Sequence, residues 1–300
     1  MLGGISARRR GLLLVLIATL LWSSAGFFAR LIDHVDLWTM LGWRALFGGL
    51  CMLAAAVVEW RRGILGPRFG LVPLAAPLIA LAAIAMSAYV AALKTTTVAE
   101  VMVIYATLPF VAAGLGFVLG GERTTRRTLI AAGVAFAGIV VMVASALGTG
   151  RLLGQFISFV MTFCFALMIV LQRRNPKMSM TSINAFGALI AAGFGFSFSP
   201  HPALSWFELS VLAAFGLTTV CVAFFLFMEG AKHIPAAEAG LISMLDVVLG
   251  PFWVFLAFGE KPGPLAIVGG ALVMGALIWR LAPEIGALRK ASPIGSIKVN

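Results

Sequence analysis

Ten apolar stretches follow one another along this chain, at 11–30, 37–58, 70–93, 98–120, 128–147, 153–172, 180–199, 207–229, 235–258 and 264–282, with short joints that carry most of the prolines and charges. A helix needs about 20 apolar residues to cross the hydrocarbon core of a bilayer, and water cannot satisfy backbone groups there. The pattern therefore predicts an all-α integral membrane protein of ten transmembrane helices. A mean hydropathy of +1.06 and a charged content of only 11% lie far from those of a soluble domain.

The net charge of +11 does not point to nucleic acid, because the basic residues cluster in the joints. With the N-terminus in the cytoplasm, 17 of the 22 Lys and Arg fall on the inner side, four outside (Arg30, Lys94, Arg151, Lys261) and one, Arg44, within a span. This bias predicts both termini in the cytoplasm. Arg8, Arg9 and Arg10 followed by an apolar run resemble the start of a signal peptide, but the run is too long for one and reads as a retained first helix. Cys51, Cys164 and Cys221 all lie inside apolar runs, with no CxxC pair; we expect neither a disulfide frame nor a metal site.

Slid against itself by 138 positions, the chain aligns 94–122 with 232–260 without a gap, with identities at Lys94/Lys232, Ala99/Ala237, Glu100/Glu238, Ile104/Ile242, Phe117/Phe255, Gly121/Gly259 and Glu122/Glu260. Seven matches in 29 positions compare with roughly two by chance. Five spans per half is an odd number, so matched helices run in opposite directions. Such an inverted repeat places a substrate site at the midplane between halves. The expected organisation is 1–150 as a first five-helix repeat, 151–282 as a second, inverted one, and 283–300 as a cytoplasmic tail.

The segments "LLWSSAGFFAR" (20–30), "GWRALFGGL" (42–50), "ALKTTTVAEVMVIYATLPFVAAGLGFVLGGER" (92–123) and "GAKHIPAAEAGLISMLDVVLGPFWVFLAFGEK" (230–261) resemble the drug/metabolite transporter superfamily, in its EamA-type branch with two EamA repeats. The resemblance covers nearly the whole chain. It implies an inner-membrane carrier of bacteria that moves small metabolites, often exporting amino acids or toxic compounds, by alternating access. Second repeats of this family often carry an acid followed by proline where this chain has Asp246 and Val247; Asp246 matches the acid and Val247 departs from the proline. The first half has Leu108 and Pro109 at that point.

Two charges inside spans stand out. Arg44, a third of the way into the second span, costs at least ~2.5 kcal/mol on insertion scales. It either binds a substrate carboxylate or acts as an anchor that snorkels outward or bonds carbonyls. Asp246 lies too deep in the ninth span for its short side chain to snorkel. Its readings are cation binding, proton coupling, a static pair with Arg44, or a protonated acid bonded to a neighbour's backbone. Glu100 and Glu238 are read as first-turn acids that complement a helix dipole, and Glu122 and Glu260 as loop or end residues. Among the amphipathic groups Trp22, Ser23, Ser24, Trp43, Tyr89, Tyr105, Asn184 and Trp253, the pocket candidates are Trp22, Ser23 and Tyr105; packing is the alternative role for each.

The substrate-binding set is thus Trp22, Ser23, Arg44, Tyr105 and Asp246, with Asp246 also the coupling residue. No nucleotide-binding glycine motif, HExxH or GxSxG occurs, so no cofactor, metal or ATP hydrolysis is expected. The partners expected are a small-molecule substrate and the lipid bilayer. A channel or facilitator for small polar solutes is the alternative, and an intramembrane enzyme a more distant one.

Overall fold

The computed structural model describes residues 7–65, 75–120, 125–146, 151–175, 178–200, 203–234, 239 and 242–291. Among the described residues every element is helical. In the first half these are α1 (Ala7–Ser23), α2 (Ala25–Leu31), α3 (Leu37–Arg61), α4 (Ala75–Thr95), α5 (Val98–Tyr105), α6 (Leu108–Gly120) and α7 (Arg126–Ala146). In the second they are α8 (Leu152–Arg174), α9 (Met180–Phe198), α10 (Trp206–Gly216), a π-helical turn (Leu217–Val222), α11 (Ala223–Ala231), α12 (Leu245–Phe258) and α13 (Pro264–Ala291).

Among the described residues seven segments are long and apolar enough to cross a membrane, and Leu245–Phe258 and Pro264–Arg280 are shorter apolar helices. Three of the seven are compound: α1 with α2, α5 with α6, and α10 through the π turn to α11. The break between α5 and α6 has a chemical cause. Pro109 has no N–H and disfavours helical geometry in the residue before it, and the Thr107 hydroxyl donates to the Ile104 carbonyl at 2.6 Å. The second half breaks too, at the Met244 turn, although valine, Val247, stands 138 positions after Pro109. Asp246 therefore stands in the first turn of α12 rather than mid-helix, where a carboxylate complements the partial positive charge of the helix end.

Helices of the two halves interleave. α3 packs on α9 and α10, α4 on α8 and α9, α1 on α11, α7 on α13, and α5 on α12 and α8. Several close glycine crossings have partners at the spacing found in the sequence. A Cβ on Gly11 would meet His233 and Ile234, and one on Gly154 would meet Thr95 and Thr96, 138 positions earlier. A Cβ on Gly48 would fall 2.6 Å from that of Val220, and one on Gly187 would fall 2.5 Å from that of Ala82, the partners Ala82 and Val220 again 138 apart and the glycines 139. Without side chains at these points the helix backbones approach closely.

One expectation is overturned. Cys51 on α3 and Cys221 on the π turn form a disulfide, their Cα atoms 6.1 Å apart. The contact of Gly48 and Gly216 brings these two backbones together, which no local spacing of cysteines could reveal. Glu122 and Glu238 lie outside the described residues.

Candidate functional site

A cavity of about 170 Å³ lies among α1, α3, α4, α5, α8, α9, the π turn, α11 and α12. Both halves build it. Its walls include Trp22, Arg44, Tyr89, Met102 and Tyr105 from the first, and Phe165, Asn184, Thr219, Phe224 and Asp246 from the second. Met86 and Phe224, at the 138-residue spacing, both line it.

Arg44 neither snorkels nor bonds carbonyls. Its side chain is buried, Nη2 donates to Thr219 Oγ1 at 3.3 Å, and Nε and Nη1 have no partner. The guanidinium lies 4.4 Å from the ring centre of Phe215 and 5.4 Å from that of Tyr89. Such cation–π contacts offset part of the desolvation of a cation without using its N–H donors. The position is set by close backbone contact, since a Cβ on Gly216 would fall 2.3 Å from the Arg44 carbonyl oxygen.

Asp246 is buried in the same cavity, and its Oδ1 has no hydrogen-bond partner. It forms no ion pair with Arg44. The static-pair alternative is therefore absent from this conformation, and one cavity holds a guanidinium and a carboxyl group that each keep unpartnered polar atoms. Buried polar groups are ordinarily satisfied, and exceptions call for an explanation. The chain has only two tyrosines, and both line this cavity.

Trp22 and Tyr105 also line it. Trp22 Nε1 donates to the Thr219 carbonyl at 2.9 Å, and Tyr105 meets Phe165 edge-on. Ser23 does not reach the cavity. It is a joint between α1 and α12: its hydroxyl donates to the Leu20 carbonyl and accepts from Trp253 Nε1 at 3.0 Å. Consecutive helix residues point about 100° apart, so Trp22 and Ser23 face different neighbours. Trp43 stacks with Phe47, meets Phe196 edge-on and takes no part in the lining.

Thr219, Phe165 and Phe224 were not singled out from the sequence. For Phe224 a signal existed, its 138-residue spacing from Met86; for Thr219 there was none, because a π turn has no compositional signature. That turn matters here, since π bulges occur often at functional sites and this one presents both the Thr219 carbonyl to Trp22 and its hydroxyl to Arg44. Glu100 is buried in the first turn of α5, as a dipole-complementing acid should be. It also accepts from the Thr96 hydroxyl and lies 3.5 Å from Arg151. Among the described residues no group of His, Cys, Asp and Glu is arranged to hold a metal ion.

The chain is similar to known proteins along nearly its full length. The model of the EamA-like transporter family matches residues 9–144 and again 152–281. Protein RarD of Streptomyces exfoliatus is 28% identical over 246 residues, covering 79% of this chain and 75% of that protein. A crystal structure of a protein 21% identical shares the fold, with a TM-score of 0.65 over 91% of this chain and 97% of the other. Two family matches, each spanning one half of an all-helical, apolar chain, make this an integral membrane protein and a member of the EamA-like transporter family.

Proposed function

We propose that this chain is a secondary active transporter that carries a small dipolar metabolite through the central cavity. Its acid binds at Arg44 and its ammonium at Asp246. The observation that carries this reading is the pair of buried, unlike charges that share one cavity without pairing, each with unpartnered polar atoms. A ligand with both poles satisfies both residues at once, whereas neither can discharge its cost alone. The volume suits a compact solute: an apolar cavity of about 150 Å³ accommodates benzene. An amino-acid-sized molecule fits this size better than a large drug.

In this reading ten crossings form two inverted five-helix repeats, which rock around the midplane site by alternating access. The recurrence of helix crossings at the 138-residue spacing supports it. The chain sits in the inner membrane with both termini in the cytoplasm and works as an exporter rather than an enzyme. Asp246 is the coupling carboxylate, and Trp22, Tyr89 and Tyr105 shape the pocket.

Uptake by proteoliposomes of a panel of radiolabelled amino acids and monopolar analogues, with and without a proton gradient, tests it. Saturable uptake and countertransport are expected for dipolar solutes. Asp246→Asn should abolish the response to the gradient, and unchanged gradient-driven transport in that variant would remove the coupling role. Unsaturable flux without countertransport would mark a channel.

A further inference from the structure

We propose that Arg30 and Glu260 form a latch that closes the cavity at the end of the bundle farther from Arg10, and that this latch must open before a solute can pass at that end. The proposal rests on the alternating-access reading and adds to it the residues that gate one side.

Arg30 ends α2 with every guanidinium nitrogen engaged. Nε donates to Glu260 Oε2 at 2.6 Å, Nη1 to the Leu93 carbonyl at 2.8 Å, and Nη2 to the Thr96 carbonyl at 3.0 Å. The other carboxylate oxygen of Glu260 accepts from the Val98 amide at 3.0 Å. Glu260 follows Gly259, whose φ of 68° ends α12. Three elements thus meet at one ion pair: α2, the joint between α4 and α5, and the end of α12. The first two belong to one family match and the third to the other.

The pair is largely sheltered, with 16% and 22% of the two side chains exposed. Beneath it lies an apolar seam, where a Cβ on Gly26 would meet Val98 at 2.8 Å and Val254 at 3.1 Å. Met102, one turn on from Val98, already lines the cavity. Two further contacts join the halves at this end, an ion pair of Arg151 with Glu100 and a hydrogen bond between His34 and Glu208. At the opposite end Arg10 and Glu229 also join the halves, but their pair is long at 3.9 Å and exposed. A shift of α12 away from α2 breaks both Glu260 bonds together, to Arg30 and to the Val98 amide, while the Leu93 and Thr96 carbonyls keep Arg30 in place for reclosure, as a two-position gate requires.

The full chain carrying Met102→Cys, in spheroplasts and in inverted vesicles, is treated with a charged, membrane-impermeant methanethiosulfonate. The same chain without that substitution supplies the background from the native cysteines. Glu260→Gln and Arg30→Lys, which keep size or charge but lose the fork of hydrogen bonds, should each speed labelling from the Arg30 side by about tenfold or more, and not from the other side. Unchanged labelling in both variants, or an equal rise from both sides, overturns the proposal. An oxidised cross-link between Arg30→Cys and Glu260→Cys should stop uptake until it is reduced, and uptake that continues through the cross-link overturns it too. The labelling is read without solute, so a latch that responds in a chain that transports nothing would sink the transport reading alone.

Discussion

Arg30 and Arg44 stand fourteen residues apart in the first half, and they solve the problem of a buried guanidinium in opposite ways. Arg30 spends all three nitrogens on an acid and two carbonyls. Arg44 spends one, on a threonine hydroxyl, and rests on two aromatic faces. A saturated arginine fastens elements together, while an unsaturated one keeps donors for something that arrives. The same residue type thus serves closure at the bundle's end and recognition at its centre, and partner supply separates the two roles.

The largest effect is expected where the setting of Arg44 is destroyed. Gly216→Ala places a methyl group against the Arg44 carbonyl, a backbone atom that cannot swing aside, and should cost about 3 kcal/mol. A thermal melt in detergent would show it, and a melting temperature equal to that of the parent would break the claim that backbone contact positions Arg44. Next comes Arg30→Met, which strands Glu260 and two carbonyls. Partial exposure reduces the full penalty of a broken buried pair, leaving a loss of about 2 kcal/mol.

Arg44→Met should act with the opposite sign. Removing a desolvated cation that has little to bond should raise stability by about 1 kcal/mol and eliminate binding of the carboxylate pole, read by thermal shift with dipolar and monopolar ligands. A destabilised Arg44→Met would erase the comparison, since Arg44 would then be a fastener as well. The smallest change is expected for Tyr89→Phe, which keeps the ring beside the guanidinium and removes only the hydroxyl. Its effect on stability should stay under about 0.5 kcal/mol, and a larger loss would assign the hydroxyl a structural bond.

Much of this was legible in the chain because the bilayer imposes a length on every apolar run. The 138-residue repeat was legible because a few polar and glycine positions stand out against an apolar background. Trp22, Arg44, Tyr105 and Asp246, which line one cavity, stand out in the sequence for the same reason: they are costly residues in lipid. Ser23 lies outside the cavity lining; a small hydroxyl in a span costs little once it bonds the carbonyl three residues back, so its presence carries little information. Glu260 was read as a loop end, and its partner is 230 residues away. The Cys51–Cys221 bond spans 170 positions. Such pairings depend on how halves dock, and no local pattern encodes them.

The π turn at Leu217–Val222 has a mechanical consequence. An extra residue in one turn displaces everything beyond it by about 100° around the helix axis, so α10 and α11 present different stripes although they form one rod. The Cys51–Cys221 bond lies within the same turn, so that offset is fixed covalently to α3, and the wall that holds Thr219 against Trp22 and Arg44 works as a keyed shaft whose angular setting cannot slip.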